Sequence, residues 1–180
     1  MGQIANKMLF DAVASAVEKI KAKKANAELV TTERLVIRPA SDEDMEKLIS
    51  DAPDAELKKA YGEMLAMSKE HPKKRLWYTA WSIELCDGTQ IGDLCFKGLS
   101  EDGTAELGYG VAEEYRNRGY AAEAVSALVE WAFRQPGVVG ITAETEASNT
   151  ASRRVLEKTG FAPTGETGEE GPLYLRRKKD

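Results

Sequence analysis

A short turn rich in glycine and arginine is the part of the sequence best suited to chemistry. It runs from Arg116 through Gly119 to Ala121, between a predicted strand and a predicted helix. Main-chain N–H groups at the start of a helix lack helical carbonyl partners and lie at its positive end. The small residues let a diphosphate approach these groups, and Arg116 and Arg118 add positive charge. The turn is predicted to bind an anion, with an ordinary strand-to-helix turn as the alternative.

The strand before this turn distributes its side chains unevenly between its two faces. Alternation along residues 104–111 puts Tyr109 on one face, and the opposite face carries Glu106, Gly108 and Gly110. Two glycines on one face indicate a β-bulge or the close approach of a ligand. A bulge would free main-chain N–H groups to hold an acyl carbonyl, although a helix packed over the glycines would also explain them.

Histidine and cysteine residues are too few, and too far apart, for a zinc site or a catalytic triad. The one histidine, His71, precedes a proline in a stretch typical of a loop. Asp87-Gly88 predicts a two-residue hairpin turn, which separates Cys86 and Cys95 by roughly 20 Å at about 3.3 Å per residue. We therefore expect two free cysteines and no metal.

Composition excludes several classes of protein. The chain has 180 residues, of which 42% are hydrophobic, so it can form a core and is not generally disordered. A formal net charge of −5 gives no overall basic field for nucleic acid. No apolar run approaches the roughly 18 residues of a membrane span, and no signal peptide is recognisable. The turn also matches neither a nucleotide-binding P-loop nor a dinucleotide fingerprint. We expect a cytoplasmic protein that binds neither nucleic acid nor membrane.

Hydrophobic patterns predict an α/β (α+β) domain with the element order βαα-βββ-αβ-αβ and helices on the faces of a mixed sheet. The predicted strands cover residues 32–38, 77–85, 90–97, 104–111, 139–145 and 173–177. The predicted helices cover residues 42–49, 54–70, 121–133 and 150–158, and Ser41 is the expected cap of the first.

An amphipathic helix is predicted over residues 4–24, ending in a run of lysines. It would dock on the domain or on a second copy of the chain, and a membrane-surface helix is the alternative. We therefore divide the chain into an N-terminal extension, residues 1–30, and one domain, residues 31–180. The expected assembly is a monomer or a homodimer.

Two motifs in a fixed order give the sequence its resemblance to a known superfamily. The first is Arg116-x-x-Gly119-x-Ala121 after a strand, and the second runs over residues 144–161. Together they resemble the GNAT superfamily of acetyl-CoA-dependent N-acetyltransferases. Within the second motif, the spacing Asn149-x-x-Ser152 and the ending Leu-Glu-Lys-Thr-Gly-Phe are similar to the branch that acetylates the N-termini of ribosomal proteins. The resemblance covers residues 31–178.

The resemblance implies a mostly antiparallel GNAT-like sheet and a site for acetyl-CoA. In the family, the turn binds the pyrophosphate, and the pantetheine arm pairs with the bulged strand like an additional strand. The residue that matches Asn149 contacts this arm, and a role as helix N-cap is the alternative. The residues implied to bind acetyl-CoA are Tyr109, Val111, Arg116, Asn117, Arg118, Gly119, Tyr120, Ala121, Asn149 and Ser152.

The resemblance also implies that an amine attacks the thioester directly. Ser152 matches the position thought to protonate the departing thiolate in this branch; a hydroxyl bonded to the backbone is the alternative. Leu156 stands where many members carry a tyrosine acid, so no tyrosine is expected to supply this proton, and Ser152 or solvent must do so. Glu106 is the expected proton acceptor for the amine, unless it is only a paired strand carboxylate.

Three further residues are expected near the acceptor. Glu170, in the turn before the last strand, would select a cationic acceptor, and Trp77 and Trp81 would line a pocket, unless they are simply core. The expected acceptor is a primary amine, possibly a protein N-terminus. The alternatives are a small amine such as an aminoglycoside or polyamine, and a CoA-binding sensor without catalytic activity.

Overall fold

The computed structural model describes residues 28–179, and an eight-stranded mixed sheet forms their centre. The order of strands across the sheet is β1-β2-β3-β4-β5-β6-β8-β7. The strands are β1 (Val30–Thr31), β2 (Leu35–Pro39), β3 (Ala80–Leu85), β4 (Gln90–Leu99), β5 (Thr104–Val111), β6 (Gly140–Glu144), β7 (Ala162–Thr167) and β8 (Pro172–Arg177).

Four α-helices and two short 3₁₀ helices connect these strands. The α-helices are α1 (Asp42–Asp51), α2 (Ala55–Glu70), α3 (Tyr120–Phe133) and α4 (Thr150–Lys158), and the 3₁₀ helices cover Pro72–Trp77 and Glu113–Tyr115. Helix α1 begins where expected because the Ser41 side chain accepts a hydrogen bond from the Asp44 N–H, and Asp44 accepts one from the Ser41 N–H. The predicted mostly antiparallel α/β fold is confirmed, with β1 and β7 added to the predicted order.

The sheet opens between β5 and β6, the one parallel pair among the described strands. Their pairing extends from Thr104↔Gly140 only as far as Glu106↔Thr142. Beyond this point β6 pairs only with β8, as far as Glu144↔Leu173. The edge of β5 after Glu106 therefore has no strand beside it, which leaves its main-chain groups open to another partner.

The bulge expected in β5 lies instead in its neighbour β4. Phe96 pairs with Leu107, and the next pair is Leu99 with Ala105, so the extra residue belongs to β4. Gly98, inside the bulge, has φ of +95°, a conformation that favours glycine. The β4–β5 ladder has no register shift at Gly108 or Gly110, so a bulge is not what places these glycines in β5. The alternative, close approach of a ligand, stays a prediction.

The β3–β4 hairpin has the predicted register only away from its turn. Ala80 pairs with Cys95 as expected, but the register shifts after Ile83. The turn is also longer than two residues, since the Leu85 N–H donates to the Thr89 carbonyl at 2.9 Å. Both cysteines of the described chain are free thiols, as predicted.

The two faces of the sheet are covered by different helices. Helices α3 and α4 pack on the face that carries the larger apolar cluster, which includes Trp81, Phe96 and Leu107. Helices α1 and α2 cover the other face through a smaller cluster around Met45 and Tyr61. Alternation along β4 and β5 places Asp93, Cys95, Glu106, Gly108 and Gly110 on this second face.

The helix predicted over residues 4–24 lies outside the described residues, and the division at residue 30 stays a prediction. No helix within residues 28–179 is both long enough and apolar enough to span a lipid bilayer.

Candidate active site

The turn before α3 presents the N-terminus of this helix at the open end of β5. The first hydrogen bond of the helix runs from the Glu123 N–H to the Gly119 carbonyl at 3.1 Å, so the N–H groups before it lack a helical acceptor. Gly119 has φ of +83°, and Asn117 is the described non-glycine residue with a positive φ, at +61°. These two left-handed residues turn the chain sharply into the helix, which gives the geometry of an anion-binding helix start.

Arg34 holds this turn in place from the start of β2. Its guanidinium donates to the Arg118 carbonyl at 3.1 Å and contacts the Glu123 carboxylate at 2.5 Å. The same group lies 4.6 Å from the centre of the Tyr120 ring. Sequence reasoning missed this role because Arg34 and the turn are 84 residues apart in the chain, and no local pattern links them.

The predicted arginines of the turn contact the turn itself. Arg116 donates from Nε to the Val111 carbonyl at 3.0 Å, and Arg118 lies 5.7 Å from the centre of the Tyr115 ring. Both side chains thus lie along the segment that joins β5 to α3, where their charge adds to the positive end of the helix.

Helix α4 begins on the other side of the open β5 edge. The Asn149 side-chain oxygen accepts a hydrogen bond from the Ser152 N–H at 3.0 Å, which makes Asn149 the N-cap. Leu156, which stands where many members of the superfamily named above carry a tyrosine acid, is fully buried in the core.

The side chain of Tyr109 extends from β5 to Ser152 in the first turn of α4. Its hydroxyl oxygen lies 2.7 Å from the Ser152 Oγ, and it also donates to the Ser152 carbonyl at 3.1 Å. Burial raises the pKa of Tyr109, so its hydroxyl is protonated at neutral pH. Position 156 of α4 carries no tyrosine, but β5 places the Tyr109 hydroxyl beside Ser152. The expectation that no tyrosine supplies this proton stays a prediction.

Glu106 lies on the predicted face but is held by Lys97 from β4. The Lys97 ammonium is 2.5 Å from Glu106 and 2.9 Å from Glu170, so it joins both predicted carboxylates. Burial opposes the charge of Lys97, yet the bonds to these carboxylates prevail and raise the pKa of its ammonium. The Glu170 N–H in turn donates to Glu144 at 2.8 Å, which fixes the turn before β8 against the end of β6.

An acid–tyrosine pair lies on the same face of the sheet as Glu106. Tyr61 from α2 donates its hydroxyl proton to Asp93 on β4 at 2.8 Å. Burial raises the pKa of Asp93, and the bond from Tyr61 opposes this effect. Burial and the nearby Asp93 charge also raise the pKa of Cys95 to about 11, so its thiol stays protonated. The signal that sequence reasoning overlooked is an acidic residue between the apolar residues Ile91 and Leu94, both of which are buried.

Trp77 and Trp81 lie in the core and not around a pocket. Trp81 is fully buried, and its indole ring is 4.8 Å from that of Trp131 on α3. Trp77 is 7% exposed and packs 4.9 Å from Phe96. It belongs to a 3₁₀ helix rather than to the predicted strand. Because both tryptophans are buried on the face covered by α3, the structure favours the alternative that they are core residues over the expected acceptor pocket.

His71 has a structural position at the end of α2. Its ring stacks on Tyr78 with 5.1 Å between the centres. Among residues 28–179, no three His, Cys, Asp or Glu side chains come together in a group that could hold a metal ion.

Comparison with known proteins identifies the family of this fold and cleft. Residues 34–162 match the family described as the acetyltransferase (GNAT) domain. An uncharacterized N-acetyltransferase of Bacillus subtilis, YoaA, is 30% identical over 149 residues, which are 76% of this chain and 84% of YoaA.

Solved structures share the fold at low identity. The ribosomal-protein-S5-alanine acetyltransferase of Vibrio fischeri has a TM-score of 0.66 at 16% identity, covering 85% of this chain and 98% of its own. The aminoglycoside acetyltransferase AAC(6′)-Ib, solved with coenzyme A, has a TM-score of 0.59 at 21% identity, covering 80% and 95%. From the domain match and the likeness to YoaA, we conclude that the chain belongs to the GNAT acetyltransferase family and is an acetyl-transferring enzyme.

Proposed function

We propose that this enzyme transfers the acetyl group of acetyl-CoA to the α-amine of a protein or peptide, by direct attack of the amine on the thioester. The observation that carries the proposal is the open edge of β5, which lies between the start of α3 and the Tyr109–Ser152 pair. The gap between β5 and β6 thus brings together the anion-binding start of α3, the free main-chain edge of β5 and a hydroxyl that can donate a proton.

The coenzyme would bind along this edge. The N–H groups at the start of α3 would hold the pyrophosphate, with Gly119 allowing close approach and Arg116 and Arg118 adding charge. The pantetheine arm would pair with the main chain of β5 beyond Glu106, where β6 no longer does. The Asn149 side-chain nitrogen would contact this arm, since the oxygen already caps α4.

The Tyr109–Ser152 pair is suited to protonate the departing thiolate. The two hydroxyl oxygens lie 2.7 Å apart and either can donate, so Tyr109 can replace a proton given up by Ser152 by turning its own proton from the Ser152 carbonyl to Oγ. In the proposed orientation, Ser152 lies at the cleft and Tyr109 behind it. We therefore add Tyr109 to Ser152, the residue expected from the sequence, as a proposed source of the proton for the thiolate.

The acceptor side of the cleft carries more negative than positive charge. Glu106, Glu170, Glu144 and Asp93 lie on or beside the face covered by α1 and α2, and Lys97 is the cation bound among them. An acceptor that arrives as an ammonium ion is attracted to such a face. One of these carboxylates would take its proton.

Two features support a peptide acceptor over a small amine. Asn149-x-x-Ser152 with Leu156 resembles the branch that acetylates ribosomal proteins, and the fold is similar to that of an S5-alanine acetyltransferase. The similar fold of an aminoglycoside acetyltransferase makes small amines the necessary comparison.

Labelled acetyl-CoA and mass spectrometry test the proposal. Peptides with a free N-terminal alanine or serine should acquire label on the α-amine. Copies with a blocked N-terminus and a free lysine should not, and polyamines and aminoglycosides should react more slowly. Preferential labelling of the small amines would contradict the peptide acceptor, and CoA binding without any transfer would favour the sensor.

A further inference from the structure

We propose that Asp93 binds the ammonium group of the acceptor and removes its proton before acetyl transfer, with Tyr61 as the residue that positions it. This inference rests on the proposed acetylation of an amine. It replaces Glu106, the proton acceptor expected from the sequence, by a carboxylate on the neighbouring strand.

The position of Asp93 connects it to the open edge of β5. Asp93 pairs with Gly110 across the β4–β5 ladder, and paired strands lie about 4.8 Å apart. A Cβ atom built on Gly110 would meet no other atom within 4 Å, and the residue is exposed. Because Gly110 has no side chain, the surface between Asp93 and the free edge of β5 is open. An amine bound there would lie between the carboxylate and the expected thioester.

One carboxylate oxygen of Asp93 is fixed and the other is available. Oδ2 accepts the hydrogen bond from Tyr61, a residue only 9% exposed, so α2 sets the orientation of the carboxylate. Oδ1 makes no hydrogen bond to any described residue, and no fully buried side-chain oxygen of the described chain lacks a partner. Oδ1 is therefore open to solvent and to a ligand.

Asp93 lacks the cation that a half-buried carboxylate usually has. None of the salt bridges of the described chain includes it, although Lys97 and Arg38 lie on the same face. Lys97 is bound by Glu106 and Glu170, and Arg38 by Asp44 and Glu84. A carboxylate withdrawn from water without a cation gains most from an incoming ammonium ion.

The charge state of Asp93 suits proton transfer. Burial raises its pKa toward that of an effective base, and Tyr61 keeps the carboxylate form accessible. Tyr61 from α2 and Cys95 from β4 interact with Asp93, and burial keeps both protonated and neutral at pH 7. On the neighbouring strand β3, Ser82 pairs with Asp93, and Glu84 of the same face is bound by Arg38. Glu106 differs, because Lys97 already lies 2.5 Å from one of its oxygens.

The proposed step conserves atoms and charge. The acceptor ammonium gives one proton to the Asp93 carboxylate and becomes a neutral amine. Its nitrogen then forms the C–N bond to the acetyl carbon while the C–S bond breaks and the electron pair leaves on sulfur. The thiolate takes a proton from the Ser152 hydroxyl, which regains one from water through Tyr109, and the nitrogen loses its second proton to water. Asp93 then releases its proton to water, so both side chains return to their starting state. The products are an amide, free CoA and one released proton.

The test compares the pH dependence of kcat/KM in wild type and four variants with one peptide acceptor. Asp93→Asn keeps an acceptor for the Tyr61 hydroxyl but removes the base, and Glu106→Gln removes the competing carboxylate. Asp51→Asn, an exposed residue at the end of α1, is the matched control. CoA binding, measured by calorimetry, reports on folding and on the coenzyme site in each variant.

We expect Asp93→Asn to lower kcat/KM by about 10²-fold at neutral pH, with a deficit that shrinks as the amine loses its own proton at higher pH. CoA affinity should stay within about threefold of wild type, where a tenfold change equals about 1.4 kcal/mol. Tyr61→Phe should move the acidic limb of the profile to higher pH, because a bond that lowers the pKa of Asp93 is lost. A purely structural role would not produce this shift.

Three results would overturn the inference. A wild-type profile for Asp93→Asn would exclude Asp93 from proton transfer, and a pH-dependent deficit confined to Glu106→Gln would give the role to Glu106. Both leave amine acetylation intact. A wild-type protein that acetylates no amine would contradict the proposed function and this inference together.

Discussion

The hydroxyls of Tyr109 and Ser152 lie 2.7 Å apart and join the open strand β5 to the first turn of α4. Tyr109 is anchored by its strand, and Ser152 is oriented by the Asn149 cap, so both hydroxyls are held by secondary structure. Secondary structure thus fixes the positions of both hydroxyl oxygens before the coenzyme binds.

The first prediction concerns this pair. Ser152→Ala should lower turnover by about tenfold to 10²-fold, because the donor nearest the thiolate is removed. Tyr109→Phe should have a smaller effect in the same direction, since the serine remains but loses its proton source. Steady-state release of CoA measures both. If the two single changes and the double change each left turnover unaltered, the pair would be structural only.

The second prediction concerns the turn before α3. Gly119→Glu places bulk and negative charge at the anion-binding end and should reduce CoA affinity by more than tenfold in calorimetry. Gly137→Glu is the matched control, since Gly137 also has a positive φ, +78°, and a Cβ there would meet nothing within 4 Å. Equal CoA affinity in the two variants would show that the pyrophosphate binds elsewhere.

The third prediction concerns the ion pair between Arg38 and Glu84. The two side chains are 15% and 11% exposed, and the charged atoms are 2.9 Å apart. Arg38→Met should lower the free energy of unfolding by about 3 kcal/mol, because Glu84 keeps a poorly solvated charge. Lys59→Met breaks an exposed pair with Glu63 and should cost less than about 1 kcal/mol. Urea denaturation measures both variants. If Arg38→Met and Lys59→Met lost similar amounts of unfolding free energy, the Arg38–Glu84 pair would not be as buried as the structure indicates.

The fourth prediction follows from the raised pKa of Asp93. The folded state disfavours the charged form of Asp93, so this charge lowers the free energy of unfolding at pH values above the pKa in the folded state. The effect disappears as the pH falls to the pKa of aspartate in the unfolded chain, about 3.9. Asp93→Asn should therefore melt at a higher temperature than wild type at neutral pH. The difference should shrink toward pH 4, and a constant difference would contradict a charge effect.

Local patterns predicted most of the fold. The Thr104–Val111 and Thr150–Lys158 boundaries agree with the structure because alternation and helix capping act within a few residues. Strand β7 was missed, since Ala162–Thr167 contains proline and glycine and is exposed along its whole length. An edge strand of this kind has no buried face and hence no hydrophobic pattern.

The site could be predicted only where its residues are close in sequence. The turn around Gly119 and the Asn149 cap are local features, and both lie where the motifs placed them. The contacts of Arg34 with the turn and of Tyr61 with Asp93 join elements that are far apart in the sequence, so no local spacing pattern predicts them. The place of Trp81 could not be predicted, because an aromatic residue in a strand has the same sequence pattern in a core as in a pocket.

The most direct test of the whole account is transfer of a labelled acetyl group from acetyl-CoA to a peptide with a free N-terminal alanine or serine. Wild type should label the α-amine, and Gly119→Glu should lower the rate of labelling by more than tenfold at acetyl-CoA concentrations below the wild-type KM. Gly137→Glu should label as wild type does. Absence of label with wild type, or full labelling by Gly119→Glu, would contradict acetyl transfer to a peptide amine from a coenzyme held at the start of α3.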